Sequence, residues 1–323
     1  MATEAHHGWA LARAGDLPGA EAYLRAGLSA TDATADPIAL ASQLFYGEDA
    51  VVERESLDDV AELVERLDAT PLTGMVMEMM VRSLRGRMRL LRRDAEGALE
   101  DLRAAHAVAL ATGMGPAVGP SRSLLALALP AGEREAALAL VEEELALARA
   151  AGLPRAEGIA LRAGGLLRDG AEAIALLEAS VAVLAPSPAR LEHARSLVAL
   201  RGALRRMRRP AAAREPLAAG LELAHACGAT RLETRAREEL RAAGGRPRRI
   251  ARTGRDALTA SEQRIARLAC DGASNPEIAQ ELFLSLKTIE THLTSVYRKL
   301  GLAGHGSRER LAEALATPTP VTE

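Results

Sequence analysis

An all-α protein in two parts is what the sequence predicts, and three observations carry that prediction. Apolar residues recur at i, i+3, i+4 and i+7 in successive short segments from residue 1 to about residue 243, the signature of amphipathic helices. Hydrophobic residues make up 48% of the 323-residue chain while aromatics reach only 2%. The core must therefore be built from Leu, Ala and Val, and Ala and Leu are strong helix formers. No stretch alternates apolar and polar residues with β-branched enrichment, so strands are expected to be few or absent.

Length points to two or three folding units. A formal net charge of −2 excludes a chain that coats nucleic acid or membrane by bulk charge alone. Cys227 and Cys270 cannot make a disulfide framework and read as buried thiols in a reducing compartment. The opening MATEAHHGWALARAGD lacks the basic-then-apolar order of a signal peptide. Even the apolar stretch SLLALALP stops at Pro130, well short of the ~18 residues that span a bilayer. These features predict a cytoplasmic protein with no membrane span.

Between the helical segments lie Gly- or Pro-bearing breaks that join antiparallel neighbours. They fall at Gly15 to Pro18, Thr70-Pro71, Gly113 to Pro116, Pro130 to Gly132, Gly152 to Pro154, Pro186 to Pro188 and Gly228. A small residue followed four later by an aliphatic recurs at Ala20/Leu24, Val60/Val64, Ala98/Leu102, Ala136/Leu140, Ala173/Leu177 and Ala213/Leu217. Successive offsets are 40, 38, 38, 37 and 40 residues. Ala on an inner turn lets two helices approach closely, and the aliphatic one turn on fills the groove. The spacing resembles tetratricopeptide-type paired-helix repeats with slightly long loops, the alternative being a non-repetitive helical bundle, since Ala-rich helices give accidental matches. Residues 1–243 are thus expected to form helical repeats that receive a signal or a partner.

Residues 241–255, RAAGGRPRRIARTGR, hold six arginines and no acid, and a linker is expected over 244–257. Charge changes sign across it. Residues 244–323 carry 12 Lys and Arg against 9 Asp and Glu, or +3, whereas residues 1–243 carry 29 against 34, or −5. The tail 317–323, TPTPVTE, is expected to be disordered.

Residues 258–316 carry the most specific pattern. Thr259-Ala260-Ser261-Glu262 is a capping box that opens a helix with Ile265, Leu268 and Ala269 inward. Asp271-Gly272 ends it, and Asn275 is expected to cap a second helix with Pro276 in its first turn and Ile278, Ala279 and Leu282 inward. After a tight turn at Phe283-Leu284, Ser285 caps a third helix to about Leu300, with Ile289, Leu293, Val296 and Leu300 inward. Two helices joined by a tight turn, the second with a polar outer face, make a helix-turn-helix whose second member suits a major groove. Its outward residues are Lys287, Thr288, Glu290, Thr291, Thr294, Arg298 and Lys299. Thr and Glu near the start reach base edges, where Glu accepts from a cytosine amine and a Thr methyl packs on thymine.

The string LTASEQRIARLACDGASNPEIAQELFLSLKTIETHLTSVYRKLG resembles the DNA-binding domain of the LuxR family of transcription regulators. Leu258, Thr259, Glu262, Gly272, Ser274, Asn275, Glu277, Ile278, Ala279, Leu282, Ser285, Thr288, Ile289, His292, Lys299, Leu300 and Gly301 fall on matching positions. The resemblance implies a four-helix domain that dimerises through its last helix, here about Arg308 to Leu315, on a partly palindromic site of double-stranded DNA. It implies base-edge roles for Glu290, Thr291 and Thr294 with Lys287 beside them, and phosphate roles for Thr288, Arg298 and Lys299. RNA polymerase is a candidate partner, and a small molecule or protein is expected as effector at the repeats.

Two departures stand out. The turn Gly301 to Arg308 is about three residues longer than the short family turn, which bears on dimer geometry. The repeats resemble those of the large ATP-binding subgroup, whose nucleotide-binding domain carries G-x-x-x-x-G-K-[ST]. Neither of the two lysines, Lys287 and Lys299, follows a glycine, so no ATPase or other enzymatic activity and no cofactor is expected. The chain reads as a shortened member or as the C-terminal part of a longer product.

Other clusters point to packing or solvation. The His6-His7 and His225/Cys227 pairs have no third and fourth ligand at metal spacing. Cys270 and His292 are expected to pack, and Glu142-Glu143-Glu144 to form an exposed helix face. Two other readings compete with a dimeric DNA reader. One is a repeat scaffold that binds peptides or small molecules on its concave face, with the helix-turn-helix docking on protein. The other is a sigma-factor-like promoter reader, opposed by the lack of an upstream aromatic, basic segment.

Overall fold

A computed structural model describes residues 2–30, 37–54, 64, 76–207, 214–242, 254, 257–282, 284–302 and 306–316. Every regular element among them is helical. The expected features at Val60, Thr70-Pro71, Ala213, Phe283, most of 244–257 and the tail 317–323 lie outside the described residues.

The N-terminal part runs α1 (Ala2–Ala14), α2 (Leu17–Ala30), α3 (Pro37–Tyr46), α4 (Glu48–Glu53), α5 (Val76–Leu91), α6 (Ala95–Ala111), α7 (Ser121–Ala128), α8 (Arg134–Ala150), α9 (Pro154–Leu166), α10 (Gly170–Leu184), α11 (Arg190–Arg206), α12 (Arg214–Ala226) and α13 (Thr230–Ala242). From α5 to α13 each helix packs on the next, the pattern of stacked hairpins. The expected breaks within the described residues separate successive α-helices, with Pro18 and Pro154 in the first turn of the helix that follows and Ala131-Gly132 in a short 3-10 turn. Several use a left-handed glycine, such as Gly113 (φ 69°), Gly152 (φ 62°) and Gly228 (φ 69°), a conformation that costs glycine nothing.

The small-then-aliphatic pairs are buried where expected at Ala20/Leu24, Ala98/Leu102 and Ala173/Leu177. Each hairpin adds a glycine on the facing helix. A Cβ on Gly86 would stand 2.6 Å from Leu102 Cγ and 3.3 Å from the Ala98 carbonyl, and one on Gly165 would stand 2.6 Å from Leu177 Cγ and 3.0 Å from the Ala173 carbonyl. Backbones approach that closely only where no side chain intervenes. The pair expected at Ala136/Leu140 is displaced by one residue. Ala136 is exposed, and Ala137 and Val141 are buried instead. A short 3-10 turn at Ala131–Glu133 precedes α8 and rotates its inward stripe. Glu144 also departs from expectation. Glu142 and Glu143 are exposed, but Glu144 is buried and accepts from the Ser123 amide at 2.8 Å.

The array closes on itself. Residues from 12 to 88 and from 191 to 236 share one hydrophobic core, α1 packs on α11, and α4 on α13. The Leu17 amide donates to the Cys227 carbonyl at 3.2 Å and Arg54 Nη1 to the Gly228 carbonyl at 2.9 Å. A buried ion network lies at this junction. Asp49 accepts from Arg87 at 2.9 Å and from Arg195 at 3.0 Å, Arg195 also reaches Glu53 and Glu192 at 2.8 Å, and Arg162 pairs with Glu192 at 2.5 Å. Burial alone would raise the acid pKa values; the surrounding arginines prevail and hold Glu192 at about 2 and Asp49 well below the usual carboxylate range.

The C-terminal part is α14 (Ala260–Cys270), α15 (Asn275–Glu281), α16 (Leu286–Lys299) and α17 (Leu311–Ala316). Its core, with Leu258, Ile265, Ala269, Ile278, Ile289, Leu293, Val296 and Leu311 among its members, is its own. Ala266 belongs to it as well. The final helix begins three residues later than the expected Arg308, because residues 306–310 form a turn.

Candidate nucleic-acid interface

Three caps fix the helix-turn-helix. Thr259 and Glu262 make the expected reciprocal box, the Thr259 amide donating to Glu262 Oε2 at 2.7 Å and the Glu262 amide to Thr259 Oγ1 at 3.4 Å. Before α15 the cap is Ser274, one residue earlier than the expected Asn275. Ser274 and Glu277 form a second box, with the Ser274 amide on Glu277 Oε2 at 2.7 Å. The Ser-x-x-Glu spacing at 274–277 repeats the Thr-x-x-Glu of 259–262 and carried this signal. It frees Asn275, whose Oδ1 accepts from Arg308 Nη1 at 2.6 Å while Arg308 Nη2 donates to the Ala273 carbonyl. Arg308 thus ties the turn after α16 to the turn before α15. Ser285 caps α16 as expected, accepting from the Thr288 amide at 3.1 Å.

The buried stripe Ile289, Leu293 and Val296 turns the opposite face of α16 outward. Lys287, Glu290, Thr291, Thr294 and Arg298 are all exposed, and at about 3.6 residues per turn they form one continuous face. Thr291 Oγ1 donates to the Lys287 carbonyl at 2.9 Å and Thr294 Oγ1 to the Glu290 carbonyl at 2.8 Å. Each hydroxyl proton is thereby committed to the helix, and its lone pairs and methyl remain for a partner. Arg298 Nη2 approaches Ser295 Oγ at 3.5 Å. Thr288 and Lys299 sit differently, half-buried on the flank. Thr288 Oγ1 shares a proton with Ser285 Oγ at 2.8 Å.

Lys299 Nζ pairs with Glu262 Oε2 at 2.6 Å, and Ser295 Oγ donates to Glu262 Oε1 at 2.7 Å. Burial opposes the Glu262 charge, but the bonds from Lys299, Thr259 and Ser295 outweigh it and keep the carboxyl below its ordinary pKa. This network, absent from the sequence reading, locks α14 to α16. Cys270 packs at the edge of the same core, and His292 is half-buried, its imidazole pKa lowered by burial.

Residues 256–308 match the family described as bacterial regulatory proteins of the LuxR family. The C-terminal unit is a LuxR-family helix-turn-helix domain. Over 72 residues the chain is 47% identical to an HTH-type transcriptional regulator of Mycobacterium bovis and 46% identical to one of Mycobacterium tuberculosis, a match that takes in 22% of this chain and 8% of each relative. It is also 40% identical over 48 residues to the transcriptional regulatory protein LiaR of Bacillus subtilis, covering 15% of this chain and 23% of that protein. The chain thus spans less than a tenth of the length of the mycobacterial relatives and under a quarter of that of LiaR. No group of His, Cys, Asp and Glu among the described residues could hold a metal ion. His6 stacks on Tyr46 with ring centroids 4.5 Å apart, His225 pairs with Glu233 at 3.3 Å, and burial raises the Cys227 thiol to about 11. No described helix is long and apolar enough to cross a membrane.

Proposed function

We propose that this chain is a sequence-specific DNA-binding transcription regulator that places α16 of its LuxR-type domain in the major groove. The observation that carries this reading is the exposed polar outer face of α16. A helix capped by Ser285 and tied to α14 by the Lys299–Glu262 pair presents Lys287, Glu290, Thr291, Thr294 and Arg298 together to solvent. Glu290, Thr291 and Thr294, with Lys287 beside them, read base edges, and Arg298 and Thr288 contact phosphates. Lys299 keeps Glu262 as its partner and adds a shared charge at the backbone. A domain of +3 making a few phosphate contacts binds weakly alone, so two copies joined through α17 on two half-sites would supply the needed affinity. The helical array provides the regulatory input.

The test is selection of duplexes from a random pool by the full chain at near-physiological salt. A two-fold symmetric enriched motif is the expected result. A single, unrepeated half-site would remove the dimer, and no enrichment at all would favour a protein-docking role.

A further inference from the structure

Among the described residues, the ion network at the closure of the array carries one positive charge too many. Arg87, Arg155, Arg162 and Arg195 stand against Glu48, Asp49, Glu53 and Glu192, four cations to four acids. Arg13 of α1 is a fifth cation, within electrostatic reach of Arg155, Glu48, Asp49 and Glu192. It forms an ion pair with none of these acids. Its Nη2 donates to the Val118 carbonyl at 2.9 Å, its guanidinium lies over the Trp9 ring at 4.4 Å, and its Nε is buried with no partner among the described residues. Burial and the like charge of Arg155 lower the Arg13 pKa from its ordinary value, yet an arginine keeps its proton, so the surplus charge stays.

Arg155 and Trp9 are short of acceptors as well. Arg155 Nη2 reaches Asp49 Oδ2 and Glu192 Oε1 only at 3.4 Å, long for a charge-assisted bond of about 2.7–2.9 Å. Arg87, Arg162 and Arg195 hold those carboxylates more closely. Arg155 Nε and Trp9 Nε1 are both buried without a partner among the described residues. Guanidinium and indole nitrogens donate only, and a buried donor left unmet costs free energy. Three neighbouring side chains thus hold spare donors around a surplus positive charge. What satisfies both at once is an acceptor that carries negative charge.

An apolar cleft adjoins these donors. Val118, which holds Arg13, lies in the connection between α6 and α7. In the same connection Met114 and Pro120 line, with Phe45, Met79 and Glu48, a cavity of about 340 Å³, at the small end of ligand pockets. Glu48 belongs both to this cavity and to the network, and Arg87 engages it at 3.1 Å, which leaves the charge on Arg13 uncancelled.

We infer that Trp9, Arg13 and Arg155 form a binding site for a small organic anion, a phosphate or carboxylate group held by the guanidinium and indole donors with its apolar body in the cavity beside Phe45, Met79 and Met114. The site gives a ligand class to the input assigned to the array above and rests on that reading only for its regulatory meaning. Its test uses no DNA, so its failure and the failure of the DNA-binding reading are told apart.

Trp9 is the chain's only tryptophan, which makes its fluorescence a local reporter. The full chain is titrated with phenyl phosphate and with benzoate, against chloride at matched ionic strength. At least one probe is expected to change the fluorescence saturably at concentrations up to about 10 mM. Arg13→Met is expected to weaken the affinity measured by calorimetry at least about 10-fold, through loss of a charge-assisted partner, while Arg298→Ala on the outer face of α16 leaves it unchanged. Should Arg13→Met not fold, Arg13→Lys, which keeps the charge but not the planar fork, takes its place with an expected loss of about 3- to 10-fold. No saturable response to either probe overturns the site. So does affinity that survives the Arg13 substitution, calorimetric binding that leaves Trp9 fluorescence unchanged, or affinity lost in Arg298→Ala, which moves the anion to α16.

Discussion

Lys299 Nζ and Glu262 Oε2 lie 2.6 Å apart across the helix-turn-helix, joining the capping box of α14 to the last turn of α16. Glu262→Gln is expected to destabilise the domain by about 1–3 kcal/mol, because a buried acceptor loses its charge-assisted donors. The pH dependence has a definite sign. Glu262 titrates lower when folded than when unfolded, so its contribution is present above an unfolded pKa of about 4.3 and is lost as pH falls through the folded value. Thermal melts at pH 7 and pH 4 should therefore differ less in the variant than in the parent, and identical acid sensitivity would contradict the assignment.

Arg298 and Thr291 share the outer face of α16 but are assigned different work. Arg298→Ala is expected to weaken binding similarly on all duplexes and to lower the slope of log affinity against log salt by about 1, whereas Thr291→Ala should alter sequence preference. Equal effects of both substitutions on a specific and a random duplex would refute the division of roles.

At the closure of the array, Asp49 accepts from Arg87, Arg195 and Arg155. Removing one member of a buried ion network leaves the others uncompensated, at about 3–5 kcal/mol. Asp49→Ala should lower the urea midpoint of the helical array by a corresponding amount and leave the unfolding of the separate LuxR-type core in place. Loss of less than about 1 kcal/mol would mean that the arginines find other partners.

Gly86 and Gly202 predict opposite outcomes for the same change. A Cβ at Gly86 meets Leu102 Cγ at 2.6 Å, in a site where Leu102 is 1% exposed, whereas one at Gly202 meets only Arg206 Nη1 at 3.7 Å. Gly86→Ala should destabilise, overpacking of about 1–3 kcal/mol exceeding the helix-propensity gain of roughly 1 kcal/mol. Gly202→Ala should stabilise by about that gain. Denaturant melts of the two variants, differing in sign from the parent, are the check.

Much was legible locally. Capping boxes, left-handed glycines and apolar stripes act within a few residues, so Thr259/Glu262, Ser285, Gly113 and the stripe Ile289, Leu293 and Val296 could be read from spacing alone. Where two local signals competed, the nearer pattern won. Ser274 displaced Asn275 because its box with Glu277 satisfies two amides at once, and Ala137 displaced Ala136 because a preceding 3-10 turn rotates α8.

The sequence by itself determined the helices, their breaks, the LuxR-type domain and which face of α16 is polar, because helix period and caps are short-range properties of the chain. Only the tertiary structure decided that α1–α4 meet α11–α13, that Asp49 and Glu192 lie buried among arginines, that Lys299 is engaged by Glu262, and that Tyr23 reaches Leu282 across 259 positions of chain. Such contacts depend on how the summed rotations of many hairpins bring distant surfaces together. No local pattern encodes that sum.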